Sequence, residues 1–244
     1  MQDITIVYKM AAAIADQCRR MGVHIDFAPV IDINNNPNNP VINFRSFGEN
    51  KYKVANYGIQ YMRGLQDNGV IACAKHFPGH GDTDVDSHKD LPSINKSINQ
   101  LEQLELYPFQ RLIDNGIQSM MIAHLQMNGI DNRANSPATL SEKIVTDLLK
   151  NKIHFDGLII TDALNMQGVA KYYEPGEIDL KAFAAGNDVL LFSQDVSSGI
   201  LKIKEALKRN AISERRIEES VKKVLTAKYN AGLHKLYKID QANI

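Results

Sequence analysis

Five short and continuously apolar segments, each ending in a polar residue, constrain the fold of this chain more than any other feature. The polar ends are Asp32, His76, His124, Asp162 and Ser193, and segments with helical periodicity separate them. Continuously apolar strands that alternate with helices are typical of a parallel sheet with both faces covered. Because parallel strands end at one edge of a sheet, we expect these polar ends to converge, as they do at the mouth of a (β/α)8 barrel.

Five strands are too few to close an eight-stranded barrel. The first periodic segment, residues 4–21, is helical, and no strand pattern precedes it in the sequence. We therefore expect a TIM-barrel-like α/β fold that lacks its amino-terminal strand or strands, with an irregular α/β fold as the alternative. No linker rich in Ser, Gly or Pro divides the chain, so residues 1–244 are expected to form a single domain.

Periodicity and turn residues give approximate bounds for the elements. Pro108 is expected to kink the helix around it, and Ser141 is expected to cap the helix that it opens. The predicted helices cover 4–21, 52–68, 97–115, 141–150 and 178–185, with two more near 200–207 and 217–225, and the predicted strands cover 23–32, 70–76, 117–123, 157–161 and 189–192.

Charge and cysteine content narrow the class of protein. The chain has 28 basic and 28 acidic residues, so nothing indicates a nucleic-acid partner or binding to an anionic membrane surface. No apolar segment is long enough to span a bilayer. Cys18 and Cys73 lack the spacing of a zinc site or a disulfide framework, and we interpret them as core or incidental thiols. The first residues resemble sequence from the interior of a domain rather than a signal peptide. The sequence therefore does not distinguish a cytoplasmic from a periplasmic location.

The segment 75–88 concentrates titratable side chains. It contains three His, three Asp and one Lys, and it directly follows the apolar segment 70–74. A buried strand is therefore expected to deliver a polar loop to its carboxyl end, where α/β sheets bind their ligands. Because such groups need solvent, partners or a function, we expect this loop to be part of a functional site.

A metal site in this loop is not favoured. His76 and His80 have the spacing of zinc ligands on a helix, but the Pro-Gly pair between them excludes a helix. The alternating aspartates at 82–86 resemble a calcium-binding loop, but Ser87 and Ser93 stand where that loop needs Gly and Glu. We therefore predict no metal and no other cofactor.

The chemistry of a glycosidase fits these residues better. Asp162 follows an apolar strand and has small neighbours, which suits a nucleophile that attacks a sugar, with a helix cap as the alternative. His88 could deliver the proton to the leaving group while Asp86 orients the imidazole, with a solvated loop histidine as the alternative. Arg45 lies in the long loop after the first strand, where a guanidinium can clamp an oxygen-rich ligand.

At this level of detail the chain resembles a known family. The segment 75–83, followed by Asp-Ser-His at 86–88 and Leu-Pro at 91–92, resembles the signature of glycoside hydrolase family 3, in the branch of bacterial β-N-acetylglucosaminidases. Further segments resemble the same family in the same order, at 27–32, 45–48, 121–124 and 157–164. The similarity extends to about residue 232. The barrel of this family begins upstream, with a strand and a Gln-Glu-Gly-Gly type of segment that this sequence does not contain.

The resemblance implies a retaining exo-β-N-acetylglucosaminidase that acts on peptidoglycan fragments or related glycosides through a covalent glycosyl-aspartate. A carbohydrate that contains N-acetylglucosamine is then the expected partner. The implied roles are Asp162 as the nucleophile, His88 as the general acid/base, Asp86 as its partner, and Arg45, Lys75 and His76 as holders of sugar hydroxyls.

Several alternatives stay open beside this hypothesis. Another family 3 activity such as β-glucosidase is disfavoured by the Asp-Ser-His loop, and an inert carbohydrate-binding barrel is an alternative from a different class. A histidine base is neutral and would not repel an anionic acceptor, so phosphate could replace water and give phosphorolysis. His124 and Met166 are expected near the pocket wall without a chemical role, His124 as a structural histidine.

Overall fold

The computed structural model describes residues 3–85 and 90–235. The helices are α1 Thr5–Arg20, α2 Lys51–Gln66, α3 Ile98–Gln103, α4 Leu106–Ile113, a π-helix Lys143–Lys152, α5 Gln167–Ala170, α6 Glu177–Ala185, α7 Val196–Lys208 and α8 Glu214–Asn230. The strands are β1 Ile25–Asp26, β2 Ile71–Phe77, β3 Ser93–Ile94, β4 Ser119–Ile122, β5 Gln126–Met127 and β6 Leu158–Thr161. Short 3-10 turns lie at Asn43–Arg45 and Ala138–Leu140.

The main sheet is parallel and has the strand order β1-β2-β4-β6. Isolated bridges extend it, because Val30 pairs with Lys75 and Val189 pairs with Ile160. The five predicted strands are therefore neighbours in sequence order, and their carboxyl ends share one edge. This confirms the TIM-barrel-like α/β fold, and over the described residues the sheet has β1 at one edge and Val189 at the other.

Both faces of the sheet are covered, which explains why its strands are continuously apolar. Ala72 and Met120 belong to the largest apolar cluster, which also contains side chains of α1, α2 and α4. Cys73 and Met121, the next residues along the same strands, belong to a separate cluster that α8 covers. Successive strand residues thus point to opposite faces, and neither face is left to solvent.

The predicted helix 97–115 is two helices. Leu104 forms the C-cap of α3 with a non-helical backbone (φ −131°, ψ −77°), and α4 begins at Leu106. Leu104 lies four residues before Pro108, and in a continuous helix the proline ring would clash with the Leu104 carbonyl. The expected kink is therefore a complete break.

The strands at the two edges are shorter than predicted. β1 covers only Ile25–Asp26, since Pro29 further along has no N–H to donate to a neighbouring strand. In the described part of the chain the predicted strand 189–192 pairs through one bridge, at Val189. Phe192 leaves the extended region altogether, with a φ of 49°.

One expectation about the segment after β4 needs correction. Ser141 is not a helix cap, because Glu142 occupies the N-cap position of the π-helix and the Ser141 hydroxyl donates to Asp131 over 2.5 Å. The sequence also does not predict that β3 pairs with β5 in a second, two-stranded parallel sheet. Strands of two residues are too short to carry a readable period.

No helix among residues 3–85 and 90–235 combines the length and the apolar character needed to cross a bilayer. The two cysteines are free thiols, Cys18 half-buried and Cys73 buried.

Gly64→Ala in α2 is expected to lower the free energy of unfolding by about 1–3 kcal/mol. A Cβ at Gly64 would lie 2.5 Å from the Tyr8 carbonyl oxygen and 2.6 Å from the Ala11 Cβ. This clash with α1 outweighs the gain of about 1 kcal/mol in helix propensity. Urea denaturation measures the difference.

The control is Ala13→Gly on the exposed side of α1, which should lose only the propensity of about 1 kcal/mol. A Gly64→Ala protein that is more stable than wild type would contradict the close contact of α1 with α2.

Candidate active site

A buried carboxylate, that of Asp32, lies at the polar edge of the sheet and has no exposed surface. Its Oδ1 accepts the backbone N–H of His80 (2.7 Å), and its Oδ2 accepts the backbone N–H of His76 (3.1 Å) and lies 2.7 Å from the His76 Nδ1. Burial on its own raises the pKa of Asp32, but the His76 imidazole and the donors of His76 and His80 bring that pKa below its ordinary value. Asp32 is therefore ionised at neutral pH and links the segment after β1 to the end of β2.

His76 joins Asp32 to a second predicted site residue. The side chain is almost fully buried, and its Nε2 lies 3.4 Å from the Nη2 of Arg45. Arg45 is exposed at the end of a 3-10 turn, where its Nη1 donates to the Val41 carbonyl oxygen (3.3 Å). The structure thus brings together two of the residues expected to hold sugar hydroxyls.

Lys75, the third of these residues, precedes His76 in β2 and is half-buried. Burial lowers the pKa of Lys75, and the nearby Arg45 lowers it further, while Asp162 acts in the opposite direction. Lys75 therefore lies close enough to Arg45 and Asp162 for their charges to act on it. The site combines two cationic side chains with a carboxylate, which suits a ligand rich in hydroxyl oxygens.

Asp162 directly follows β6. Its N–H donates to the Ile122 carbonyl oxygen of the neighbouring β4 (2.9 Å), and its Oδ1 accepts the N–H of Ala163 (2.8 Å). Burial on its own raises the pKa of Asp162, but the His76 and His124 imidazoles and the Ala163 N–H bring it below its ordinary value. The carboxylate is therefore ionised at neutral pH, and its residue keeps part of its surface exposed.

The alternative that Asp162 caps the next helix is wrong. That helix is α5, whose N-cap is Met166, four residues after Asp162. Met166 is itself buried in the turn that leads away from the strand end.

His124, two residues beyond the neighbouring strand β4, supports the backbone beside Asp162. It is fully buried, with its Nδ1 2.6 Å from the Thr139 hydroxyl and its Nε2 2.9 Å from the Ala163 carbonyl oxygen. Because a carbonyl oxygen only accepts, Nε2 carries a proton. These contacts fit the structural role expected for His124.

The loop that follows β2 is held by asparagines of the first long loop. The Asn39 Nδ2 donates to the His80 carbonyl oxygen (2.8 Å) and to the Thr83 hydroxyl (3.2 Å), and the Asn36 Nδ2 donates to the Asp84 carboxylate (2.6 Å). His80 is buried here, and burial lowers its pKa to about 4. His80 is therefore neutral at physiological pH.

A second set of contacts fixes the base of the same loop. The Lys96 ammonium lies 2.5 Å from the Asp82 carboxylate and 2.6 Å from the Glu105 carboxylate. Gly81 packs directly on the preceding loop, because a Cβ there would lie 1.7 Å from the Ile33 carbonyl oxygen. Only glycine fits this approach of backbone to backbone.

Two predicted catalytic residues, Asp86 and His88, lie outside the described residues. Where the described chain resumes, the Asp90 carboxylate accepts from the Lys171 ammonium (2.7 Å) and from the Tyr172 hydroxyl (3.3 Å). Lys171 and Tyr172 directly follow α5, in the segment that leads away from Asp162.

Comparisons with known proteins agree with this arrangement of loops on a parallel sheet. Residues 1–227 match the model of the glycosyl hydrolase family 3 N terminal domain. The chain belongs to this family.

Family 3 relatives cover most of the chain. A β-hexosaminidase A of Pseudoalteromonas piscicida is 34% identical over 90% of this chain and 40% of its own length. The structure of a family 3 β-N-acetylglucosaminidase from Paenibacillus sp. str. FPU-7 has a TM-score of 0.94 at 36% identity, over 99% of this chain and 46% of that one. The β-glucoside phosphorylase BglX has a TM-score of 0.91 at 26% identity, over 97% and 44%. The chain thus spans less than half the length of each.

Several residues that shape this family 3 site were not identified from the sequence. The sequence identifies Asp32 only as a polar strand end, and it gives no role to Asn39 or Lys96. A signal existed for Asp32, since an aspartate that ends an apolar strand needs donors once it is buried. The identity of those donors depends on the fold.

Asp32→Ala is expected to lower the free energy of unfolding by about 3 kcal/mol at pH 7, because it leaves buried N–H groups of His76 and His80 without an acceptor. The folded-state pKa of Asp32 lies below the unfolded value of about 3.9. The stability is therefore present above that value and is lost as the pH falls through the folded-state pKa.

The difference in the free energy of unfolding between wild type and Asp32→Ala should become smaller as the pH drops below about 4. Urea denaturation across a pH series measures it. Asp16→Ala, which removes exposed ion pairs of α1, should cost at most about 1 kcal/mol. A difference that does not change with pH would contradict an ionised, hydrogen-bonded Asp32.

Proposed function

We propose that this family 3 protein is a retaining exo-β-N-acetylglucosaminidase that removes terminal N-acetylglucosamine from peptidoglycan fragments or related glycosides. The observation that carries the proposal is the place of Asp162 at the carboxyl end of β6, close to Lys75, with an ionised carboxylate on a residue that is partly exposed. The names of the β-hexosaminidase and β-N-acetylglucosaminidase relatives support the choice of sugar.

Asp162 is proposed as the nucleophile. Its Oδ1 accepts the Ala163 N–H, so Oδ2 is the oxygen expected to attack the anomeric carbon. A bond forms from this oxygen to carbon while the bond from carbon to the leaving oxygen breaks, which gives a glycosyl ester of Asp162. Water then attacks the same carbon and releases the sugar, and the two displacements together retain the configuration.

His88 is proposed as the general acid and base, with Asp86 as its partner. In the first step the imidazolium gives its proton to the departing oxygen, and in the second the neutral imidazole takes a proton from water. These roles rest on the resemblance of the 86–88 segment to the family, together with the near-neutral range in which histidine titrates.

Arg45, Lys75 and His76 are proposed to hold hydroxyls of the sugar that Asp162 attacks. Arginine and lysine only donate hydrogen bonds, and sugar hydroxyl oxygens can accept them. The contact of Arg45 with His76, and the proximity of Lys75 to Asp162, support a single subsite made from these side chains.

Asp162→Ala should lower kcat/KM for p-nitrophenyl N-acetyl-β-glucosaminide by about 10⁴-fold or more, because it removes the attacking oxygen. The stereochemistry of the wild-type product, followed by proton NMR, should show the β-anomer first.

Asp156→Ala is the matched control, since Asp156 is an exposed aspartate near the opposite end of β6, and it should keep full activity. Equal losses in both variants, or an α-anomer as the first product, would contradict Asp162 as a retaining nucleophile.

His88→Ala should lower kcat/KM for an alkyl or sugar aglycone by about 10²–10⁴-fold, as expected for the loss of a general acid. The loss in the first step should be smaller for a dinitrophenyl aglycone, because that group leaves without a proton. His154→Asn, at an exposed histidine, serves as the control. A loss that is the same for all leaving groups would argue against His88 as the acid.

Phosphorolysis is the second candidate reaction. It is supported by the structural similarity to a protein named as a phosphorylase, the β-glucoside phosphorylase BglX. The neutral form of a histidine base would tolerate phosphate beside the glycosyl ester better than a carboxylate would. N-acetylglucosamine 1-phosphate among the products at saturating phosphate would establish it, and free N-acetylglucosamine alone would leave hydrolysis.

A further inference from the structure

The His76 imidazole lies between two partners with opposite hydrogen-bonding capacity. Its Nδ1 is 2.7 Å from the Asp32 Oδ2, and its Nε2 is 3.4 Å from the Arg45 Nη2. A neutral imidazole has one donor and one acceptor nitrogen, so the two partners together decide where its proton lies.

Asp32 determines the state of Nδ1. Its carboxylate has no exposed surface, and it accepts from nitrogens of His76 and His80. Two of these nitrogens are backbone N–H groups, which can only donate. An ionised carboxylate can only accept, so the nitrogen that faces it at 2.7 Å is protonated.

Arg45 determines the state of Nε2. A guanidinium has donors and no acceptor, so it cannot bond to a nitrogen that carries a proton. The contact at 3.4 Å is long, and the guanidinium can donate across it only when Nε2 is unprotonated and accepts with its lone pair. Both neighbours therefore select the same tautomer.

We propose that Asp32 is a positioning residue that fixes His76 as the Nδ1–H tautomer, and that the Nε2 lone pair thereby selects a sugar hydroxyl able to donate its hydrogen. The sugar part of this inference rests on the proposed function. Asp32 itself is fully buried and acts only through His76.

A hydroxyl is the substituent that matches this pair of protein groups. It can donate its hydrogen to the His76 Nε2 while its oxygen accepts from the Arg45 guanidinium. Fluorine or a methoxy oxygen has no hydrogen to donate and would leave Nε2 facing another acceptor. Sites built to bond a hydroxyl reject analogues that lack it far more strongly than apolar pockets reject a size change.

Asp32→Asn should reverse the tautomer. The Oδ1 position accepts the backbone N–H of His80 (2.7 Å) and lies 3.2 Å from that of His76, so the amide oxygen must take this place. The amide nitrogen then takes the Oδ2 position and donates to Nδ1. The imidazole proton moves to Nε2, which now faces the substrate as a donor.

The first experiment is a nitrogen-15 NMR spectrum of the imidazoles in the wild-type protein at neutral pH, with His76 assigned by comparison with His76→Gln. The expected result is a pyrrole-like Nδ1 and a pyridine-like Nε2. An Nε2–H tautomer or a doubly protonated ring would overturn the proposal. This measurement needs neither a variant of Asp32 nor turnover.

The second experiment compares kcat/KM for p-nitrophenyl N-acetyl-β-glucosaminide with analogues in which each free ring hydroxyl in turn is replaced by fluorine. In the wild type, one position should lose about 10²-fold or more. In Asp32→Asn that loss should shrink by about tenfold, since Nε2–H can donate weakly to fluorine but repels no acceptor.

Thr83→Val is the matched control, because Thr83 is buried in the same loop and contacts His80 rather than His76. It should lower turnover of every substrate by a similar factor. The ratio of kcat/KM for the parent substrate to kcat/KM for each fluorine analogue should stay unchanged. If Asp32→Asn behaves in the same way, Asp32 is only structural and the proposal is wrong. A wild-type protein that turns over no substrate would reject the proposed function, while the nitrogen spectrum would still decide the tautomer.

Discussion

The hydrogen bonds of the buried Asp32 carboxylate are the interaction on which the site depends. They connect Asp32, in the segment after β1, to residues 44 and 48 positions later, at the end of β2 and in the loop beyond it. A buried charge is costly unless donors surround it, and here the donors are the backbone and imidazole of the segment that carries Lys75 and His76. The same bonds that stabilise the ion thus fix the position of the residues proposed to bind sugar.

Two aspartates at one edge of the sheet have different environments. Asp32 is fully buried and surrounded by donors, so no lone pair is left for a ligand. Asp162 is partly exposed, and its Oδ1 bonds to the N–H of the next residue. Both have lowered pKa values, but only Asp162 combines a charge with access. Environment, rather than residue type, separates the structural carboxylate from the one proposed to react.

The parallel sheet explains why these groups meet. β2, β4 and β6 are buried along almost their whole length, so the polar side chains of the site lie at or just beyond their carboxyl ends. β2 ends at Phe77, directly after His76. β4 ends two residues before His124, and β6 ends directly before Asp162. Because β2 pairs with β4 and β4 pairs with β6, these ends lie side by side. Contacts between loops then hold the segment after β2 in place. Asn39 donates to the His80 carbonyl oxygen, and the Lys96 ammonium pairs with the Asp82 carboxylate.

The sequence could predict what depends on local patterns. Apolar runs predict β2, β4 and β6, helical periodicity predicts α1 and α2, and polar strand ends predict which residues face the site. It could predict less well what depends on a distant neighbour. The short pairings of β1 and of Val189, and the pairing of β3 with β5, are decided by which backbone groups find partners in space. Ser141 fails as a predicted cap because Asp131 offers its hydroxyl a stronger acceptor.

The sequence by itself determined the alternation of strands and helices, the edge at which function is expected, and the family, because each of these is written in residue order and spacing. Only the tertiary structure decided that Asp32 holds His76 and His80, that Arg45 reaches His76 from another loop, and that Asp162 is not a helix cap. The physical reason is that hydrogen bonds and charges act over a few ångströms, whatever the number of residues between the groups. A side chain's protonation state and availability therefore depend on neighbours that the linear order does not reveal.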